Sequence, residues 1–205
     1  FATDFFSLSD SDDWNTTGTS TFAVTDGLGG ISVLTPSSTV AATAALPSAG
    51  FALSATGTTG PGPQMWYQTR VAVSTVASAT QVLSFGLTKV ASGSAATTDS
   101  LLFVKAAGST SLNLVSTVGS TATTLVTGVT TPVSATYVDL GLYYNGTDLE
   151  VFVNDALVAR VTAPTIGASG TTLTNAVMVP TISLTPVTTE TINVDYLLAA
   201  QEIAR

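Results

Sequence analysis

Short runs of alternating apolar and small polar residues recur along the chain, and Gly, Pro, Asn and Asp separate one run from the next. Alternation with a period of two is typical of a β-strand that buries one face. The pattern predicts an all-β fold, an antiparallel β-sandwich of about twelve strands. The clearest runs are Phe22–Val24, Ile31–Leu34, Phe51–Ala55, Met65–Val76, Gln81–Val90, Leu101–Ala106, Ser111–Val118, Thr123–Val129, Val177–Leu184 and Thr191–Ala200.

The stretch from Tyr137 to Val161, YVDLGLYYNGTDLEVFVNDALVARV, has the strongest pattern in the chain. Asn145-Gly146 favours a first tight turn because both residues tolerate positive φ, and Asn154-Asp155 favours a second. The run between the turns, Leu149–Val153, alternates as a strand does. The stretch therefore predicts a three-stranded meander.

Two positions in the predicted strands leave alternatives open. Gly86 lies inside the run from residue 81 to 90, which indicates a bulge or a close approach of another backbone. The tail LLAAQEIAR, which starts at Leu197, either continues the last strand or forms a helical turn.

Charged residues make up only 9% of the 205 residues, against about 25% in an ordinary soluble domain. Lys and Arg total 5 and Asp and Glu total 13, so the net charge is −8 and the chain lacks the basic surface that nucleic-acid binding needs. The absence of Cys and His excludes disulfides, thiolate and imidazole metal sites, and His-dependent catalytic triads.

No run of residues approaches the roughly 20 consecutive apolar positions of a membrane-spanning helix. The nearest, Ala41–Leu53, is interrupted by Thr43, Pro47 and Gly50. The acidic N-terminal segment also lacks the basic region of a signal peptide. We therefore expect no membrane partner.

The segment GLYYNGTDLEVFVNDALVARV resembles a recurring element of concanavalin A-like jelly rolls, the fold of laminin-G, pentraxin and related lectin-like domains. Val151 to Asp155 match the strand that leads into a tight turn in those families, with Ala156 in place of the usual Gly. Asn193 to Leu197 resembles their closing strand, and Asp4 to Trp14 resembles their acidic, aromatic opening. The resemblance implies one jelly-roll domain over residues 1–205, with residues 1–14 as an N-terminal arm or a first strand.

The chain also resembles the decoration, or cement, proteins of tailed-phage capsids, some of which carry a lectin-like jelly roll. This resemblance rests on the abundance of Ala, Thr, Ser, Val and Gly, on the low charge, and on the pattern from Asp195 to Glu202. It implies a structural virion protein on the outer capsid surface.

Glycoside hydrolysis needs two carboxylates about 5–9.5 Å apart across the bond that is cleaved. Jelly-roll glucanases that resemble this fold carry a Glu-x-Asp-x-x-Glu strand, and this chain has no such motif. Glu150 and Asp155 are five residues apart, as are Glu190 and Asp195, and an odd separation on a straight strand puts side chains on opposite faces. We therefore expect no catalytic residues and no enzymatic activity.

The acidic cluster Asp10-Ser11-Asp12-Asp13 is the candidate for calcium, which prefers oxygen ligands. It lacks the EF-hand pattern, since Thr21 stands where the twelfth-position Glu would be. A solvated acidic turn is the simpler interpretation, so we expect no metal site and no cofactor.

Carbohydrate binding uses exposed aromatic side chains beside amides or carboxylates. Because adjacent strand residues point in opposite directions, one member of the pair Trp66/Tyr67 and one of Tyr143/Tyr144 should face outward. We take Trp66 and Tyr144 as candidate glycan contacts, with packing in the core as the alternative.

The N-terminal segment is the candidate for a subunit contact. Phe1, Phe5, Phe6 and Leu8 are apolar in an otherwise acidic segment. They either form a first strand of the sandwich or dock on a neighbouring subunit.

These observations lead to two hypotheses. The first is a capsid decoration protein that stabilises a phage head. Its partners would be the major capsid protein and copies of itself, in a homotrimer. A surface with few charges suits such contacts, because little hydration free energy is lost when it is buried. The alternative is a carbohydrate-binding, lectin-like module of a phage fibre or a bacterial surface protein.

Overall fold

The computed structural model describes residues 2–3, 15–17, 20–25, 31–36, 42–45, 50–53, 62–77, 79–89 and 98–202. These residues form strands, turns and loops and include no helix that could cross a bilayer. Thirteen of the strands have four or more residues, close to the dozen predicted. The strands are β1 (Ala2–Thr3), β2 (Asn15–Thr17), β3 (Ser20–Thr25), β4 (Ile31–Pro36), β5 (Ala42–Ala45), β6 (Met65–Val73), β7 (Val82–Thr88), β8 (Ser100–Lys105), β9 (Leu112–Val118), β10 (Thr121–Thr130), β11 (Val138–Tyr144), β12 (Leu149–Val153), β13 (Ala156–Val161), β14 (Ile166–Gly167), β15 (Leu173–Thr174), β16 (Val179–Thr185) and β17 (Ile192–Gln201).

The strands form two antiparallel sheets. The first, called the large sheet below, has the order β13-β12-β11-β6-β17-β4-β3, and β1 also pairs with β17. The second sheet has the order β10-β9-β8-β7-β16-β5-β2, and β14 and β15 form a separate parallel pair. The prediction of an all-β, antiparallel sandwich is therefore confirmed.

The core lies between the two sheets and is built by alternation along each strand. On β6, Met65 and Tyr67 are fully buried, whereas Trp66 between them is 42% exposed. Leu83 and Phe85 of β7, in the second sheet, belong to the same core and are also buried. Burial of each large side chain stabilises the fold by about 1.5–3 kcal/mol.

The predicted meander is β11, β12 and β13. Asn154 and Asp155 have φ values of 49° and 63°, the left-handed conformation that a two-residue hairpin turn requires at both positions. In the first turn, Asn145 Oδ1 accepts hydrogen bonds from the backbone N–H groups of Thr147 and Asp148, both at 2.8 Å. The meander thus forms one edge of the large sheet.

Gly86 has a φ of 148°, and a Cβ added there would lie 2.3 Å from the carbonyl oxygen of Leu101 on the neighbouring strand. The predicted close approach of another backbone is confirmed at this position.

Several elements differ from the predictions. The predicted run Phe51–Ala55 is not a strand in its described part, because Phe51 forms only an isolated antiparallel bridge with Met178. The short strands β2, β14 and β15 lie outside the predicted runs. β17 continues as a strand to Gln201, because it pairs with β6 as far as Met65, so the helical turn is wrong for this part of the tail. β5 pairs with β16 and was missed, since its sequence ATAA contains little of the branched and aromatic character that marks strands.

Candidate functional site

The outer face of the large sheet, which points away from the second sheet, carries aromatic and polar side chains close together. The antiparallel register of β6 and β11 determines which of them are neighbours. Phe152 of β12 lies opposite Gly141 on the far side of β11. The facing pairs of β6 and β11 are Trp66 with Tyr143, Gln68 with Gly141, and Arg70 with Asp139.

Trp66, Tyr143 and Phe152 form an aromatic shelf on this face. The rings of Trp66 and Tyr143 are stacked, with centroids 4.1 Å apart and planes inclined by 14°. The ring of Phe152 is tilted, with its centroid 6.1 Å from that of Trp66. The shelf is a partly exposed apolar surface, of the kind that ligand pockets use to contact ring-shaped groups.

A cavity of about 250 Å³ opens beside the aromatic shelf. Gly141 leaves room for it, because a Cβ at this position would lie 3.2 Å from the Cβ of Phe152. The cavity combines apolar rings with an amide and two carboxylates, which is the usual composition of a small-molecule site. Its lining residues are Trp66, Gln68, Asp139, Gly141, Phe152 and Asp155.

A chain of three hydrogen bonds connects the polar groups of this cavity. Gln68 Nε2 donates to Asp155 Oδ1 at 3.3 Å and to the hydroxyl oxygen of Tyr196 at 3.0 Å. The Tyr196 hydroxyl in turn donates to Asp139 Oδ1 at 2.6 Å. The network holds the amide and the two carboxylates in fixed orientations.

A β-bulge in β17 makes this network possible. The register with β6 shifts between Val194 and Tyr196, which leaves Asp195 as an extra residue. Bulges re-aim side chains in this way. Asp195 Oδ2 accepts a hydrogen bond from Arg70 Nη1 at 2.7 Å, while Tyr196 reaches Gln68.

A second arginine pairs with acids at the edge of the same sheet. Arg160 of β13 forms a close ion pair with Glu150 and a longer one, at 3.8 Å, with Asp148. These ion pairs connect the last two strands of the meander with the turn that precedes them.

The environment of Tyr196 keeps its hydroxyl protonated. Burial raises the pKa of Tyr196, and so do the hydrogen bond to Asp139 and the negative charges of Asp139 and Asp155. Arg70 acts in the opposite direction and does not offset them. The hydroxyl therefore remains a hydrogen-bond donor over the whole neutral range.

Gln68 and Tyr196 connect the two carboxylates of the cavity, which limits the distance between them. The three hydrogen-bond distances limit the separation of the bonded oxygens of Asp139 and Asp155 to less than about 9 Å. Inverting glycosidases hold their two carboxyl groups about 6.5–9.5 Å apart.

The spacing argument on the other acids requires two corrections. Because Asp155 lies in the predicted Asn154-Asp155 turn, the straight-strand rule does not apply to it: it bonds to Gln68 on the outer face, the face that Glu150 also occupies. Glu190 precedes β17 and is buried, where its Oε2 accepts hydrogen bonds from the backbone N–H groups of Val187 and Thr188. Glu190 thus has a local structural contact and lies outside the cavity lining.

The described residues contain no group of three acidic side chains placed to hold a metal ion. The acidic cluster at residues 10–13 lies outside the described residues. The expectation about calcium at that cluster stays a prediction.

The structure separates the two candidate glycan contacts. Trp66 is on the aromatic shelf and borders the cavity. Tyr144 is 1% exposed, and its hydroxyl donates to the carbonyl oxygen of Gly146, so the expectation that it contacts a ligand is wrong. Its neighbour Tyr143 points outward instead, because the alternation of β11 buries the position after it. The candidate subunit contacts Phe1, Phe5, Phe6 and Leu8 lie outside the described residues.

Sequence reasoning missed five residues of this site. Alternation alone places Gln68 beside Trp66, and Asp139 on the same face as Tyr143, so the strand pattern held a signal for these two. The turn at Asp155 was predicted from the local sequence, but the approach of Phe152, Asp155 and Tyr196 to one another depends on strand register and on the bulge in β17.

Comparisons with solved structures show the fold. The chain superimposes over its full length on 97% of a structure described as a native glycosidic hydrolase, with a TM-score of 0.65 and 12% identity. The potassium-bound carbohydrate recognition domain of Emp46p gives a TM-score of 0.65 at 12% identity, covering 100% of this chain and 98% of that one. A β-glucanase of Bacillus licheniformis gives 0.62 at 10% identity, with 98% of both chains covered. The sequence matches no protein-family model and no curated protein.

The chain therefore has the concanavalin A-like jelly-roll fold of lectins and glucanases. The expectation that it is not an enzyme is wrong as an inference, because glycoside hydrolases are among the structures that share this fold over nearly the whole chain. Other structures with this fold include a carbohydrate recognition domain and a seed lectin of Lotus tetragonolobus. The virion location, the major capsid protein as partner and the homotrimer stay predictions from composition.

Proposed function

We propose that this protein binds carbohydrate on the outer face of the large sheet. One observation carries the proposal: the exposed stack of Trp66 on Tyr143 borders a cavity that contains an amide and two carboxylates. Sugar rings combine an apolar face of C–H groups with hydroxyls at their edge. An aromatic surface beside fixed polar groups contacts both parts at once.

The arrangement of the shelf supports an oligosaccharide as ligand. The outward side chain of Leu157 on β13 is 51% exposed and lies opposite Phe152. The apolar strip from Trp66 to Leu157 thus crosses four adjacent strands, or about 14 Å at the usual spacing between strands. This length exceeds a single sugar ring, so we expect affinity to increase with chain length.

The rigidity of the site also supports binding. Gln68, Tyr196 and Asp139 are fixed by mutual hydrogen bonds, and Trp66 by stacking. A preorganised site loses less side-chain entropy when the ligand binds.

The test is a glycan array followed by titration of the best ligands. The chain has two tryptophans, so the Trp14→Phe variant leaves Trp66 as the sole indole reporter of binding. We expect saturable binding that quenches or shifts Trp66 fluorescence. Trp66→Ala, followed by calorimetry, should weaken the affinity about tenfold or more.

The matched control is Val133→Ala, which shortens an apolar side chain that is 60% exposed and lies outside the cavity lining. It should leave the affinity unchanged. The same oligosaccharides should be incubated with the protein and examined for new reducing ends, so that binding and turnover are measured separately. Absence of any glycan binding, with or without calcium, would contradict the proposal.

A further inference from the structure

The charges around the cavity bear on the chemistry of its ligand. Asp139 and Asp155 line it, and none of the lining residues is Lys or Arg. All the described cationic side chains have partners, and only Arg70, which lies opposite Asp139 on the neighbouring strand, is close to the cavity. Arg70 pairs with Asp195, Arg160 with Glu150 and Asp148, Lys89 with Asp99, and Lys105 with the carbonyl oxygen of Gln81.

The cavity is therefore electronegative, in a chain whose net charge is already −8. A ligand that carries a carboxylate or sulfate would be repelled there. A ligand that carries a positive charge would be attracted, and most strongly at low ionic strength.

The hydrogen bonds point in the same direction. Both donor hydrogens of the Gln68 amide are used, on Asp155 Oδ1 and on the Tyr196 hydroxyl oxygen, and the hydroxyl itself donates to Asp139 Oδ1. Within the described residues, no group donates to the second carboxyl oxygen of Asp139 or Asp155. The cavity thus offers acceptors and needs donors from its ligand.

The aromatic shelf is compatible with such a ligand. A sugar ring can stack on Trp66, and an ammonium group near the ring face gains a cation–π attraction. A protonated amine beside the ring then reaches the adjacent carboxylates, where charge-assisted hydrogen bonds are stronger than neutral ones.

We propose that the cavity binds a glycan with free amino groups, an oligomer of de-N-acetylated hexosamine. One ring lies on the aromatic shelf and its ammonium group donates to Asp155 and Asp139. This inference rests on the carbohydrate-binding function proposed above. N-acetylation would remove the charge and two of the donor hydrogens.

The experiment compares three hexasaccharides by calorimetry at low salt: a glucosamine oligomer, its fully N-acetylated form, and a neutral glucose oligomer. Measurements at a pH where the amine is protonated should give about tenfold or more tighter binding of the glucosamine oligomer. The preference should shrink as salt is added and as the amine is deprotonated.

Asp155→Asn is the sharpest variant. Asp155 is exposed and has a φ of 63°, a conformation that Asn also tolerates, so the turn should be preserved. We expect the variant to lose most of the preference for the amine, measured as the ratio of its affinities for the glucosamine and the glucose oligomers. Asp139→Asn should act in the same direction. Glu202→Gln is the matched control, because it removes one negative charge outside the cavity lining and should have no such effect.

The outcomes separate the two proposals. Equal binding of the three oligomers, or a preference for the N-acetylated one, would overturn the amine preference and leave carbohydrate binding intact. Binding of none of the three, together with a blank glycan array, would contradict both. A preference that survives both Asp→Asn changes would show that other groups recognise the amine and would also overturn this assignment.

Discussion

Tyr196→Phe removes the hydroxyl that connects the polar groups of the cavity while it keeps the aromatic ring. The hydroxyl donates to Asp139 at 2.6 Å and accepts from Gln68 at 3.0 Å. A hydrogen bond to a charged group contributes about 1.5–3 kcal/mol and a neutral one about 1 kcal/mol. In the variant, water reaches the partly exposed Asp139 and Gln68 and replaces part of the lost hydrogen bonding. We therefore expect the free energy of unfolding to fall by about 1.5–2.5 kcal/mol.

Urea unfolding at neutral pH measures this loss, and a double-mutant cycle with Asp139→Asn isolates the bond between the two side chains. The coupling energy should be about 1 kcal/mol or more. Tyr143→Phe is the control on the same face, because its hydroxyl bonds to Gln64 in an exposed position and its loss should cost less than about 0.5 kcal/mol.

The dependence of stability on pH in the alkaline range gives an independent check on the role of the Tyr196 hydroxyl. Since the pKa of Tyr196 is raised in the folded protein, its contribution is complete below the unfolded value, about 10, and is lost as the pH rises above it. Tyr196→Phe should therefore lose less stability than the parent above that pH. A cost below about 0.5 kcal/mol at neutral pH, with no coupling to Asp139, would refute the view that this hydroxyl organises the site.

Other parts of the molecule give three further predictions. Gly86→Ala should lower the free energy of unfolding by about 3 kcal/mol or more, since a Cβ would collide with a backbone carbonyl oxygen at 2.3 Å; a loss below 1 kcal/mol in urea would contradict the close approach. The free energy of unfolding should decrease below about pH 4. Burial raises the pKa values of Asp99 and Glu190, but the hydrogen bonds that their carboxylates accept outweigh it, so both pKa values are lowered in the folded protein. Their contribution to stability is therefore present above the pKa values of the unfolded chain and is lost as the pH falls through the pKa values of the folded protein. Asp99→Asn combined with Glu190→Gln should flatten that acid limb in thermal melts. Gly141→Ala has no φ strain and should change stability by less than about 1 kcal/mol while it weakens glycan binding, and unchanged binding in calorimetry would show that the ligand lies elsewhere.

The sequence pattern was sufficient for most of the fold because burial alternates along the first part of β6 and along much of β9 and β12. The run that begins at Met65 has the predicted inward and outward sets, and the meander has its turns at the predicted Asn-Gly and Asn-Asp positions. The pattern failed where a strand has few β-branched or aromatic side chains, as in β5.

The site was less accessible to sequence reasoning, and Tyr144 shows why. Alternation requires that one tyrosine of the pair faces outward, but it does not say which, and only the register with β6 places Tyr143 beside Trp66. Tyr196 reaches Gln68 through a bulge that breaks the alternation, and Asp155 does so from a turn. A ligand cavity assembled from β6, β11, β12 and β17 and a hairpin turn is a product of tertiary pairing.

The most direct test of the carbohydrate site is amide chemical-shift mapping during titration with an oligosaccharide that the protein binds. We expect the largest shifts at Trp66, Gly141 and Phe152 and at their neighbours on β6, β11 and β12. Shifts concentrated in the threonine-rich cleft that Thr123 and Thr172 line, with none near Trp66, would contradict the assignment of the site to the outer face of the large sheet.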